Sequence, residues 1–501
     1  MKSYLIIPMG GRGKRFVNAG YKTYKAFLPI HKNISIFQKI ISNFDKNFEI
    51  ILLGNFKKIK NKINNIPKKK NIHLINIQSH NKGPLYSLYL GKDNINKIIK
   101  DNKNIFISYT DINWIWNIKK VLNFVRTKKI VVFTHKDFHP HLEVNAKSDF
   151  CRVKKRRVFD IREKKTFSQD YKKDELAIGC YFIKDLSYFN KFFNNNKNLF
   201  NKKKEAYFLT FIKYFLNLKA KVNNFLVHHF VHLGTPEQYN DFLSWQIHFN
   251  KKLINRKIFR KDTCIMLMGG KGRRVSRLKK PKPFLLVRNK EIYKYIFDHY
   301  GSRRKFVITN KNFNNTIQKK NKTFLIKKTN SMFESVFASK KILLDSKNYI
   351  LTSCDCFGEF NFSNFKRIKN KSDLILFGFK FSNMQKDLGN SHTQLKIIKN
   401  KVIDIDVKKR FKDFRYGHAG FFWIKNGYIF NYLKKFKDSK IFKRIKREVL
   451  IDDYFKFLIK NKLAKISYYL LDNYIHIGSE KEYQEYLYWQ KYFLKNEHKY
   501  S

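Results

Sequence analysis

At 501 residues the chain has room for two or three domains, each able to bury a core of its own. Lys and Arg number 106 against 38 Asp and Glu, a net charge of +68, but the cations run the whole length among abundant Asn, Ile, Phe and Tyr; all of these have A/T-rich codons, so base bias accounts for the charge better than a nucleic-acid or membrane surface does. The five cysteines (151, 180, 264, 354, 356) are odd in number without metal-type spacing, no apolar stretch reaches membrane-spanning length, and the first apolar run, residues 4–9, meets glycines where a signal peptide would continue, so a reduced, cytoplasmic setting is expected.

Residues 4–30, YLIIPMGGRGKRFVNAGYKTYKAFLPI, dominate the first half. An apolar run leads into Gly10-Gly11-Arg12-Gly13, two cations (Lys14, Arg15), a basic loop, then Lys25-Ala26-Phe27-Leu28. The pattern predicts a buried strand feeding a glycine turn, where the lack of a Cβ lets backbone N–H groups crowd around an anion. Arg15 and Lys25 would add full charge, making a polyphosphate cradle. Pro8 and Arg15 stand where a P-loop needs Gly and Ser or Thr, and the glycine spacing does not fit a dinucleotide fingerprint.

Farther along, 35–44 has helical spacing, while 48–55 and 72–78 read as strands. Gly83 precedes a helix starting near Pro84 and could present free N–H groups to a ligand. The run 104–113 is the next strand, ended by Asp111, a carboxylate at the edge where open α/β sheets bind ligands and therefore a candidate magnesium ligand. After the strand from 129, His135, His139 and His141 lack zinc spacing and suggest a substrate-pocket loop. Glu163-Lys164 pairs a hydroxyl acceptor with a phosphate-balancing ammonium, Gly179 lies in a strand over 176–184, residues 206–218 form a helix, and Thr235-Pro236 starts the last helix of this half.

The motifs then recur. The offset is 244 at Asp111/Asp355, 241 at Gly179/Gly420 and 244 at Gly234/Gly478, which means domain duplication and excludes a solenoid. Expected boundaries are 1–250 for the first domain, a basic linker over 251–262, and 263–501 for the second. TCIMLMGGKGRRVSRLKKPKPFLLV, residues 263–287, repeats the cradle with Gly269, Gly270, Gly272, Arg274 and Lys282. Ser331 replaces Gly83, and Val407 stands where the first copy has Glu163, leaving only Lys408; the second copy reads as degenerate on that side. Strands alternating with helices predict, for each copy, a three-layer α/β/α domain with a mostly parallel sheet.

In order and spacing these motifs resemble the sugar-phosphate nucleotidyltransferases, a GT-A-like, Rossmann-type family with the signature G-G-x-G-T/S-R followed by P-K-P-L-L-P. Lys14 and Arg273 stand where that family has Thr or Ser, Tyr24 replaces the proline that Pro281 keeps, and His232 occupies the place of a frequent second metal-binding Asp. The resemblance implies transfer of a nucleoside monophosphate from an NTP to a sugar 1-phosphate or similar phosphorylated alcohol, with pyrophosphate released, Mg2+ as cofactor, and a role in surface-polysaccharide precursor supply. It implies NTP and sugar-phosphate partners and no specific nucleic acid. Catalytic roles would fall to Arg15, Lys25, Arg274 and Lys282, nucleotide contacts to Gly10, Gly11, Gly13, Gly83, Gly269, Gly270 and Gly272, sugar-phosphate contacts to Glu163, Lys164, Gly179 and Gly420, and metal to Asp111 and Asp355. A GT-A glycosyltransferase is the alternative, though neither Asp111-Ile112-Asn113 nor Asp355-Cys356-Phe357 supplies its Asp-x-Asp; a nucleic-acid-binding protein rests on charge alone.

Overall fold

The computed structural model describes residues 3–31, 34–44, 47–56, 71–99, 104–142, 148–201, 205–250, 259–270, 278, 280–318, 321–380, 392–407 and 416–494. The chain divides into two compact units, Met1–Leu243 and Ser244–Ser501.

The first unit is built on a nine-stranded sheet: β1 (Ser3–Pro8), β2 (Phe48–Gly54), β3 (Ile72–Asn76), β4 (Asn104–Ser108), β5 (Ile130–His135), β6 (Phe150–Lys154), β7 (Arg157–Arg162), β8 (Glu175–Ile183) and β9 (Val222–Leu226). Their spatial order is β3-β2-β1-β4-β8-β5-β9-β7-β6. Every residue of β1, β2, β4 and β5 is buried, as the continuous apolar runs predict for strands covered on both faces. The helices that matter to the site are α1 (Lys14–Asn18), α2 (Ile36–Ser42), α3 (Pro84–Ile98), α4 (Phe208–Asn217) and α5 (Pro236–Asn250).

The sheet is mixed, which corrects the expectation of a mostly parallel one. Strands β1–β2, β2–β3, β1–β4 and β5–β9 pair parallel, but β8 runs antiparallel between β4 and β5, and β7 is antiparallel to both β9 and β6. The β6–β7 hairpin makes one of these reversals. Its two turn residues, Lys155 (φ 46°) and Arg156 (φ 59°), both adopt positive φ, the geometry of a type I′ turn, without the Asn-Gly or Asp-Gly that would betray it in sequence.

The second unit repeats the arrangement with β10 (Thr263–Met268), β11 (Arg304–Thr309), β12 (Lys322–Leu325), β13 (Lys347–Ser353), β14 (Leu374–Lys380), β15 (Gln394–Ile398), β16 (Lys401–Asp406), β17 (Tyr416–Asn426) and β18 (Ile466–Leu470). The order β12-β11-β10-β13-β17-β14-β18-β16-β15 is that of the first sheet, strand for strand. Helices α6 (Met332–Ala338), α7 (Ile451–Lys460) and α8 (Glu480–Leu494) correspond to α3, α4 and α5. Of the basic stretch 251–262, only 259–262 is described, and it packs into this unit. Phe259 is fully buried against Tyr300, Phe360, Phe365 and Phe377, and Asp262 bonds Lys369 Nζ at 2.6 Å.

Candidate active site

Because β1 and β4 are parallel neighbours, the loops leaving their C-terminal ends emerge side by side. One is the glycine loop and the other carries Asp111, so the topology alone brings these two stretches together. The strand stops at Ser108, three residues earlier than the sequence pattern suggested, and Asp111 occupies the turn before a short antiparallel pair, Ile112–Ile115 with His229–His232. That pair carries the chain back, and the Leu233 N–H donates to the Asp111 carbonyl at 2.7 Å.

A cavity of about 390 Å³ opens there, lined by Pro8, Gly11 to Phe16, Tyr24, Lys25, His80, Asn81, Gly83, Pro84, Ser87, Tyr109, Thr110, Asp111, Glu205, Tyr207 and Gly234. It gathers six residues singled out from the sequence: Gly11, Gly13, Arg15, Lys25, Gly83 and Asp111. Lys25 Nζ lies 3.1 Å from Asp111 Oδ2. Burial pushes the Asp111 carboxyl up, but the Lys25 ammonium outweighs it and holds the group below its ordinary range, keeping it ionised. Arg12, Lys14 and Arg15 are exposed along the same wall.

The three glycines of the loop serve different ends. A Cβ at Gly10 would fall 2.6 Å from His80 Nε2 and 2.8 Å from Ser87 Oγ, so Gly10 is set by packing and lies behind the cavity wall. Gly13 has φ 62° and starts α1. At Gly11 a Cβ would meet no protein atom within 4 Å, so nothing in the protein demands glycine there, and its bareness leaves room for a ligand. Gly83, the N-cap of α3, has φ 83°, and a Cβ on it would lie 2.5 Å from the Ala206 carbonyl.

Glu163 and Lys164 lie outside the lining residues, in the turn after β7. Glu163 accepts from Thr210 Oγ1 at 3.3 Å, and Lys164 Nζ stands 5.2 Å from the centre of the Tyr207 ring, so the pair adjoins the cavity through Tyr207. The Lys164 N–H donates to Asp149 Oδ1 at 3.1 Å; burial, and then the Glu163 charge, raise the Asp149 carboxyl to about 6. Gly179, at φ 85°, sits at a bulge in β8 where a Cβ would lie 2.8 Å from the Tyr109 ring. It reaches the cavity only by backing Tyr109. His139 and His141 are buried, with ring centres 5.4 Å apart, and His141 Nε2 lies 3.1 Å from Asp241 Oδ2. Neither lines the cavity.

Sequence reasoning missed Tyr24, His80, Ser87, Tyr109, Glu205 and Tyr207. The Tyr207 hydroxyl donates to Glu205, and Tyr109 Oη accepts the Phe208 N–H at 2.8 Å. Only Tyr24 carried a signal, as the departure from proline beside Lys25.

In the second unit Lys282 Nζ lies 2.8 Å from Asp355 Oδ2, and the Ile477 N–H donates to the Asp355 carbonyl at 2.7 Å. Burial raises Asp355, but Lys282 and then His476 drive it far below the carboxylate range. Gly269 packs like Gly10, its Cβ position 3.0 Å from Thr329 Oγ1, while at Gly270, as at Gly11, nothing lies within 4 Å. Gly272, Arg274 and Lys408 lie outside the described residues. Gly420 has φ 77° and Val407 is buried in the apolar core. Among the described residues no group of three or more His, Cys, Asp or Glu could hold a metal, and no helix is long and apolar enough to cross a membrane.

No family model matches the chain, and no curated protein matches it. Among solved structures, the nucleoside-diphosphate-sugar pyrophosphorylase from Vibrio cholerae RC9 matches at 16% identity with a TM-score of 0.38, over 48% of this chain and 99% of its own. The inositol-1-phosphate CTP transferase from T. maritima matches at 16% identity with a TM-score of 0.37, over 47% of this chain and 96% of its own.

Proposed function

We propose that the first unit is a nucleotidyltransferase that moves a nucleoside monophosphate from an NTP to the phosphate of a sugar 1-phosphate or similar phosphorylated alcohol, releasing pyrophosphate. The observation that carries this reading is the convergence of Gly11, Gly13, Arg15, Lys25 and Asp111, from three separate stretches, on one cavity. An acceptor phosphate oxygen attacks the α-phosphorus in line, so the protein has to align two anions and neutralise the charge that grows on the leaving pyrophosphate. The arc 11–13 offers backbone amides to the polyphosphate, and Arg15 and Lys25 offset its charge. Lys25, paired with Asp111 in the free protein, turns to the phosphates as they arrive. Asp111 would hold magnesium: a single ionised carboxylate, completed by phosphate oxygens and water, suits that ion better than zinc. When bound, it would polarise the phosphates.

Glu205 and Tyr207 stand on the cavity wall, with Glu163 and Lys164 behind them, and this acidic, hydroxyl-binding side would take the acceptor. Incubating the chain with each NTP, magnesium and a panel of phosphorylated sugars and alcohols, while following pyrophosphate, tests the reading. Acceptor-dependent release is expected with at least one pair. Magnesium-dependent transfer of sugar from a nucleotide sugar, without pyrophosphate, would replace it with the glycosyltransferase alternative.

A further inference from the structure

The loop that lines the cavity is tied down through its carbonyls. Tyr24 Oη lies 2.6 Å from the Met9 carbonyl oxygen and 3.0 Å from that of Gly11; a phenol has one proton, so the two oxygens share it. The carbonyl between them, that of Gly10, accepts the His80 N–H at 3.0 Å, and the His80 ring is fixed by Ser87 Oγ at 2.9 Å. Three successive carbonyls are thus engaged inside the protein. In a trans peptide the C=O and the following N–H point in opposite directions, so each fixed carbonyl also fixes the next amide, and the parallel bridge between Gly11 and His80 ties the loop on its other side. Glycine backbones wander without such ties.

The second unit does this differently. At the position of Tyr24 it has Pro281, and the two residues share one backbone conformation, φ −57° and ψ 135° for Tyr24 against φ −57° and ψ 146° for Pro281. The first unit therefore keeps the proline-compatible backbone, gives up the rigid ring, and gains a hydroxyl that reaches back 15 residues to the glycine loop. Burial, and then the nearby Asp111 charge, push the Tyr24 phenol far up, so its proton is always present to be donated.

We propose that Tyr24 is a positioning residue whose hydroxyl holds the Met9 and Gly11 carbonyls, and so fixes the glycine loop in the shape that lines the cavity for a bound polyphosphate. The ligand half of this rests on the nucleotidyltransferase reading of the cavity; the clamp itself does not. Tyr24→Phe removes only the oxygen, while Tyr24→Pro copies the second unit. In the whole chain without ligand, hydrogen exchange of the His80 amide, whose acceptor is the Gly10 carbonyl, reports whether the loop is held. Loss of one net hydrogen bond predicts exchange about three- to tenfold faster in both variants, with the KM for NTP and the Kd for inorganic tripolyphosphate raised by a similar factor and the acceptor KM unchanged. Unchanged exchange and NTP affinity in Tyr24→Phe would overturn the proposal. So would a Tyr24→Pro chain that matches the wild type, because residue 24 would then matter only as a backbone stiffener. If the wild-type chain binds neither tripolyphosphate nor any NTP, the polyphosphate reading fails and takes the ligand half with it, whereas failure of the clamp shows in the exchange data alone.

Discussion

Around β1 and β4 in the first unit and β10 and β13 in the second, the same hydrogen bonds recur: the glycine loop leaves the strand end, a lysine in a one-turn helix pairs with an aspartate, and a returning strand donates to that aspartate's carbonyl at 2.7 Å. Around the neighbouring hairpins the units part. The first has Glu163 bonded by Thr210, Lys164 near Tyr207 and a half-buried Asp149; the second has buried Val407, and at the place of Asp149 it has Thr393, as the matching bonds Ala177 N–H to Asp149 O and His418 N–H to Thr393 O show, both 2.9 Å. Asp452, from the first turn of α7, fills the space by bonding Thr393 Oγ1 at 2.9 Å and His418 Nδ1 at 2.6 Å. The proposed phosphate side is set by strand order and persists wherever the sheet does. The proposed acceptor side hangs on hairpin and helix-start side chains, which can change without cost to the sheet.

The largest expected effect separates the units by charge at the cradle. Arg15→Ala should lower pyrophosphate release by about a hundredfold or more, the scale for losing a preorganised charge at a phosphoryl centre. Arg274→Ala should leave it within about twofold, well short of a lost catalytic charge. Equal losses, with circular dichroism unchanged, would erase the asymmetry.

Next comes the metal. Asp111→Asn should raise the magnesium concentration for half-maximal rate by about tenfold, since a neutral amide is a poorer ligand for a hard cation, while Asp355→Asn should leave that titration where it was. Identical curves for Asp111→Asn and wild type would make Asp111 a structural partner of Lys25 and nothing more.

The carboxylates that differ between the units should also answer pH in opposite senses. Asp149, raised by burial to about 6, favours the protonated carboxyl in the fold, so the stability it lends is full below about pH 4 and is lost as pH rises through 6. Burial raises Asp452 and Glu482 too, but His418 holds Asp452 low, and His476 with Ser479 brings Glu482 to about 2; their contribution is present at neutral pH and is lost as pH falls from about 4.5 toward 2. Hydrogen exchange read unit by unit across pH 3 to 7 should show the Asp149→Asn change only in the first unit and only above about pH 4. Matching profiles in both units would contradict the assignment.

Where the copies are alike, the effects should be alike and small. Thr235 Oγ1 accepts the Gln238 N–H and Ser479 Oγ accepts the Glu482 N–H, both at 3.3 Å, capping α5 and α8. Thr235→Ala and Ser479→Ala should each cost about 1 kcal/mol, measured by denaturant unfolding.

Much of the fold was legible because β1, β2, β4 and β5 are continuous apolar runs and because the duplication confirmed each pattern. The reversed strands were not: Lys155-Arg156 turns a hairpin with no glycine to mark it, and nothing local says that β8 enters the sheet antiparallel. Gly11, Lys25 and Asp111 could be placed together because parallel neighbours share an edge. Glu205 and Tyr207 could not, since they reach the cavity from the approach to α4, nearly 200 residues beyond the glycine loop, and no spacing rule links the two. The histidines 139 and 141 misled for the opposite reason, being close in sequence but turned into the core.

The central claim is that one unit performs the transfer while the other keeps only its phosphate-binding half. Initial rates of pyrophosphate release by the whole chain, compared among wild type, Lys25→Ala and Lys282→Ala with the best NTP and acceptor, test it most directly. The account predicts a fall of about a hundredfold for Lys25→Ala and a rate within about twofold of wild type for Lys282→Ala. Rates halved in both variants would mean two equivalent working sites, and a rate lost only in Lys282→Ala would move the chemistry to the second unit.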